Sequence, residues 1–148
     1  MKQKERLKWF CNEILKRKLS LDDFDDKLII QKAVYIAQKL GMDFNYNFGW
    51  HVRGVYSSAL TVDIYEINDQ DLEYSPSPEE KEIAEKLLAI RNVFGHTSRT
   101  FEIISTVIYA REDRGMRDNE ITEFVKIVKP WFSEEEIKKA VQESYKLN

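Results

Sequence analysis

Residues 27 to 67 read KLIIQKAVYIAQKLGMDFNYNFGWHVRGVYSSALTVDIYEI, and the changes of hydrophobic period along them decide the fold. The first part, with the residues just before it, is helical. Phe24, Leu28, Ile29, Ile30, Ala33, Val34, Ile36, Ala37 and Leu40 cover more than half the circumference of a helix over residues 23 to 40. A helix apolar on that many sides needs cover all round, which places it at the centre. Gly41 stops it. From Phe44 to Arg53 the period drops to two, with aromatic or β-branched residues alternating with polar ones, the signature of a strand. One strand is not stable alone. Three coverings are open: pairing with a short segment near Leu72 to Tyr74, packing on the helices as an extended loop, or meeting the edge of a partner, which would make a homodimer. Gly54 breaks the strand, and residues 58 to 68 return to helical spacing with Leu60, Ile64 and Ile67 inward.

Outward from this stretch the chain reads as further helices. Leu7, Phe10, Cys11, Ile14 and Leu15 form one stripe over residues 2 to 17, and the other face of that helix is basic, a solvated face in the simplest reading. Ser20 is the expected cap of the central helix, with the acids Asp22, Asp23, Asp25 and Asp26 at its positive end; their spacing is not that of a calcium loop. Residues 68 to 78 are a surface loop. Ser77-Pro78-Glu79-Glu80 and Ser133-Glu134-Glu135-Glu136 are capping boxes that open two helices, the first running to Gly95. Ser98 opens another that ends near Arg114 and Gly115, and Asp118 caps a short one stopped by Pro130. The expectation is a mainly α chain: about seven helices in one compact domain over residues 1 to 148, with at most a small β-hairpin or short two-stranded sheet.

Composition narrows the function classes. With 23 basic and 26 acidic residues the net charge is -3, so no global field attracts nucleic acid. No run of about 18 apolar residues offers a membrane span, and the N-terminus lacks the apolar core of a signal peptide. The lone Cys11 cannot form an internal disulfide and fits a small core residue in a reducing, cytoplasmic setting. Only His51 and His96 offer imidazoles, and no metal-ligand spacing, nucleophile elbow or glycine-rich phosphate loop is present. No cofactor, metal or catalytic residue is expected.

One cluster stands out: Trp50, His51, Arg53, Gly54, Tyr56, Ser57 and Ser58. A glycine bend followed by serines at a helix start can turn amides outward, where an anion is favoured, and Arg53 could close a fork on a carboxylate or phosphate beside them. The plainer alternative is that Ser57 caps its own helix, Arg53 pairs with a nearby acid, and Trp50 and Tyr56 fill the core. The turn from Gly95 to Arg99 places His96 and Arg99 at a second helix start, a weaker version of the same device.

The segments from Ile30 to Gln38 and from Phe48 to Leu60 resemble the YwgA-like group of prokaryotic proteins and, more distantly, the Panacea antitoxin domain. The resemblance covers residues 27 to 67. Gln31, Lys32 and Tyr35 match its helix motif; Gly54, Tyr56, Ser57 and Leu60 match its turn motif. Val55 stands where the family usually has proline, and Ser58 and Ala59 stand where acids are common. The resemblance implies a compact helical module without known catalysis, in the Panacea case one that neutralises a toxin by binding it.

These readings make the chain a small cytoplasmic protein-binding module, antitoxin-like or regulatory, acting through the surface from Trp50 to Ser58. One alternative is a winged-helix-type regulator that binds nucleic acid, against which stand Asp63, Glu66 and Asp69 on the third helix. The other is an enzyme acting on a phosphate-containing small molecule.

Overall fold

The structure is a computed structural model that describes residues 3 to 148. Its helices are α1 (Gln3–Leu15), α2 (Phe24–Lys39), α3 (Ser58–Ile67), α4 (Pro78–Ile90), α5 (Thr97–Ile108), α6 (Asp118–Val128) and α7 (Glu134–Tyr145). Two short strands, β1 (Gly49–His51) and β2 (Gly54–Tyr56), form the only sheet among the described residues.

The apolar girth of α2 is used as the sequence demands. Its neighbours are α1, α3, α4, α5 and β2, and Ile30, Ala33, Val34, Ile36 and Ala37 have no measurable exposure. A second inner helix, α5, packs along α2 and is covered in turn by α6 and α7. The molecule is thus a central α2/α5 pair, with α1, α3 and α4 around the first member and α6 and α7 around the second. Buried apolar residues from all seven helices join one core. β2 touches both α2 and α5, so the hairpin lies over the seam between them.

The period-two segment turns out to be mostly a ribbon rather than a strand. Phe44 is buried, Tyr46 and Phe48 are half-buried, and Asn45 and Asn47 face outward, so the alternation is real. What covers it is helix: Phe44 meets Phe10 edge-on at 5.4 Å, and Phe48 meets Tyr35 edge-on at 5.3 Å. Only residues 49 to 51 pair, and their partner is β2, not the segment near Leu72. The antiparallel register is Gly49 with Tyr56, Trp50 with Val55 and His51 with Gly54. Val52 and Arg53 make the turn, closed by Gly54 at φ +99°.

Several helix ends differ from their sequence reading. Asp23, not Ser20, caps α2: its carboxylate accepts the Asp25 and Asp26 amides at 2.9 and 3.3 Å. Ser20 instead donates its amide to Asp26, which also binds Arg17 through two 2.6 Å hydrogen bonds. The fourth helix stops at Ile90, and a turn carries Phe94 back into the core. Thr97 rather than Ser98 begins α5, which passes into a π turn over Tyr109–Asp113. Asp118 is the first residue of α6 rather than its cap, and α6 ends two residues before Pro130, whose ring disfavours helix in the residue preceding it. Both capping boxes form, at Ser77 and Ser133.

Candidate functional site

The hairpin is held by α2 side chains that act as a substitute strand. Gln31, 3% exposed, accepts the Ser57 amide at 2.8 Å and donates to the Ser57 carbonyl at 3.0 Å. Two helical turns later Gln38 repeats the device, accepting the Tyr46 amide at 2.8 Å and donating to its carbonyl at 3.1 Å. Seven residues apart, the two glutamines lie on one face of the helix and bracket the ribbon from Tyr46 to Ser57. Between them Lys32 donates to the Val55 carbonyl at 3.3 Å. Tyr35 is buried and donates its hydroxyl to Asp113 of the π turn at 2.7 Å, an arrangement that with burial pushes the phenol well above its ordinary range. Gln31 and Lys32 therefore fasten the hairpin, Tyr35 ties α2 to the π turn, and all three are buried.

The cluster read from Trp50 to Ser58 divides. His51, Val52, Arg53 and Ser58 are exposed, whereas Gly54 and Ser57 are buried. The expected outward amides at the start of α3 are partly consumed: the Ser57 amide goes to Gln31, and the Ser57 hydroxyl caps α3 by accepting the Leu60 amide at 3.3 Å. Trp50 is half-buried, stacked on Tyr109 at 4.8 Å with Phe124 at 5.7 Å. Tyr56 is half-buried and its hydroxyl accepts from Thr61 at 2.8 Å. Trp50 packs against the core without entering it, and Tyr56 lies outside it. For Ser57 the plainer reading describes the geometry.

Arg53 does not follow it. No ion pair holds its guanidinium among the described residues; it lies over the Phe24 ring at 4.9 Å, and that ring is itself 51% exposed. On one side of this stack is an apolar groove of about 160 Å³, walled by Phe24, Lys27 and Leu28 of α2, by Tyr56, and by Ile64 and Tyr65 of α3. On the other is a polar cleft of about 240 Å³ between α2, the hairpin turn and the start of α5. Asp25, Leu28 and Lys32 line it from α2, Arg53 from the turn, and His96, Ser98, Arg99 and Glu102 from the α5 end. Leu28 belongs to both hollows.

The tertiary structure thus brings the Gly95 to Arg99 turn, which the sequence offers as a separate device, to the side of Arg53. His96 supplies no side-chain cap, so the first amides of α5 have no side-chain acceptor. Under the hairpin turn lie two lysines that are each 3% exposed, Lys32 and Lys129. A methyl group placed on Gly54 would lie 3.4 Å from the Lys32 ammonium and 3.7 Å from that of Lys129. Glu102 pairs with Lys129 at 3.1 Å, and Arg99 reaches Glu136 at 2.8 Å. Lys32 has no carboxylate partner. Its desolvation, with Lys129 beside it, lowers its pKa to about 8. No sequence spacing pointed to Lys129 or Glu102, since their neighbours in space come from other helices.

Among the described residues no group of His, Cys, Asp and Glu side chains could hold a metal ion, and no helix is long and apolar enough to cross a membrane. No family model, curated protein or solved structure matches the chain.

Proposed function

We propose that the chain is a small, non-catalytic, cytoplasmic protein-binding module, regulatory or antitoxin-like in mode, that docks its partner on the α2/α3 groove and the Arg53 turn beside it. The observation that carries this reading is the exposed stack of Arg53 on Phe24 at the lip of an apolar groove. Arginine and aromatic side chains beside a preformed hollow are what interface hot spots are made of. Lys27, bonded to the Tyr65 hydroxyl at 3.2 Å, adds positive charge to the same rim. The complementary partner segment presents an apolar side chain to the groove and an acidic group to Arg53 and Lys27. The likeness of the α2 and turn motifs to the YwgA-like and Panacea groups supports binding rather than turnover.

The nucleic-acid reading has less support. α3, the helix that would read bases, carries no Lys or Arg, and its Glu66 and Asp63 are taken by Lys4 and Tyr46.

Affinity capture from the native host, run side by side with wild type, Arg53→Glu and Tyr65→Ala, tests the proposal. A protein retained by wild type and lost by both variants, with unchanged thermal melts, is the expected result. If everything that wild type retains is also retained by both variants, the docking face is wrong.

A further inference from the structure

We infer that the cleft beneath the hairpin turn is a binding site for a phosphate group, held by Lys32, Arg53 and Arg99 with Ser98 and the first-turn amides of α5. The inference goes beyond protein docking, because the cleft and the groove are separate hollows that share only Leu28.

Charge is the first argument. The lining sets Lys32, Arg53 and Arg99 against Asp25 and Glu102; Glu102 is occupied by Lys129 and Arg99 by Glu136, neither of which the cleft includes, and that leaves Lys32 and Arg53 against Asp25. The second is Lys32 itself. A buried ammonium has three donors, yet here it has one acceptor, the Val55 carbonyl at 3.3 Å, and no carboxylate. Burying an ammonium in that state is costly, and an anion in the cleft would remove the cost. The third is the number of donor-bearing residues. Lys32 of α2, Arg53 of the turn, and Ser98 and Arg99 at the start of α5, whose first amides lack a side-chain cap, line one hollow. That is more than the two oxygens of a carboxylate can accept, and it suits the three outer oxygens of a phosphate monoester.

The pH dependence follows from the same groups. Lys32 faces Lys129 of the segment after α6, Glu102 of α5 and Arg53 of the turn, with Asp25, His96 and Arg99 at the rim. A phosphate ester is doubly charged above about pH 6, and Lys32 loses its proton near pH 8. Affinity is therefore highest between these values and falls on either side.

The test is calorimetric titration of the whole chain, in chloride buffer at fixed ionic strength, with three probes. They are inorganic phosphate, adenosine monophosphate, and a phosphoserine peptide with its unphosphorylated twin. Saturable binding is expected, with a dissociation constant on the order of 1 mM for inorganic phosphate. It should weaken about tenfold in Arg53→Gln and in Lys32→Met, and stay unchanged in Tyr65→Ala, which lies in the groove but not in the cleft. The tightest of the three probes shows whether the phosphate arrives free, on a nucleotide or on a protein. Arg53 is exposed, so its variant keeps the test decisive even if Lys32→Met alters the fold. Absence of saturable binding by all phosphorylated probes, or binding that both variants leave intact, overturns the inference. Failure of Tyr65→Ala in the capture experiment, by contrast, concerns only the protein-docking face.

Discussion

At the scale of single residues, most of what matters here is how α2 meets backbone that has no strand to pair with. A buried amide or carbonyl without a partner costs about 1–3 kcal/mol, and Gln31 satisfies both for Ser57. Gln31→Leu keeps similar bulk but strands both groups, so it should lower stability by about 2–3 kcal/mol in urea unfolding. Lys32 works in the opposite direction. Its folded pKa, about 8, lies below the ordinary 10.5, so the unfolded chain binds more protons between those values and stability rises with pH across that window. Cys11 opposes it above pH 9, because burial lifts its thiol to about 12. The difference between wild type and Lys32→Met cancels the cysteine. Lys32→Met should be the more stable protein at pH 7, by on the order of 2–3 kcal/mol, and the advantage should shrink toward zero by about pH 10.5. A wild type that outlasts Lys32→Met at pH 7 without phosphate would mean that the ammonium is better compensated than its contacts show.

At the scale of elements, the hairpin is too short to stand by itself, since two three-residue strands are marginal in water. It persists because the glutamine clamps, the Trp50 stack and the Gly54 turn act together. At φ +99° Gly54→Ala strains the turn, while the added methyl would meet the Lys32 and Lys129 ammonium groups at ordinary contact distance, 3.4 and 3.7 Å. The expected loss is about 1–2 kcal/mol from backbone strain; unchanged unfolding curves would show that the turn relaxes. The start of α2 is the other element-scale junction. Burial raises the Asp26 pKa, but the Arg17 fork and the Ser20 amide more than offset it and hold the carboxyl below its ordinary value. Its stabilising contribution is thus complete above the ordinary carboxylate value and disappears as pH falls through the lowered one. Asp26→Ala should cost about 3 kcal/mol at pH 7 and much less in acid, as read from paired urea titrations.

At the scale of the molecule, the α2/α5 seam is where the parts with chemical potential converge. Arg53→Ala should leave the melt within about 1 kcal/mol of wild type, since an exposed cation on an exposed ring contributes little, while removing partner capture and weakening phosphate binding about tenfold. Tyr56→Ala is a poorer probe, because its half-buried hydroxyl belongs to the Thr61 and Gln31 network.

The seven helices, the centrality of α2, both capping boxes and the bend at Gly54 were legible in the sequence, because each depends on spacing within one element. The alternation was legible too, and burial follows it from Phe44 to Phe48, while Val52, on the same phase, is 98% exposed in the turn. Its cause was not legible, since side chains alternate in burial whether a sheet or a helix surface lies behind them. Capping at residues 20 to 26 was ambiguous because several side chains there could accept the same amides, and packing of Arg17 on Asp26 left Asp23 as the cap. The sequence also supplied Arg53 and the His96 to Arg99 turn, each as a local feature. That they face one another across a cleft floored by Lys32, and that Ser57 points inward to a glutamine instead of outward to a ligand, were decided only when α5 packed along α2. Periodicity reports which face of an element is buried. It carries no information on which other element does the burying.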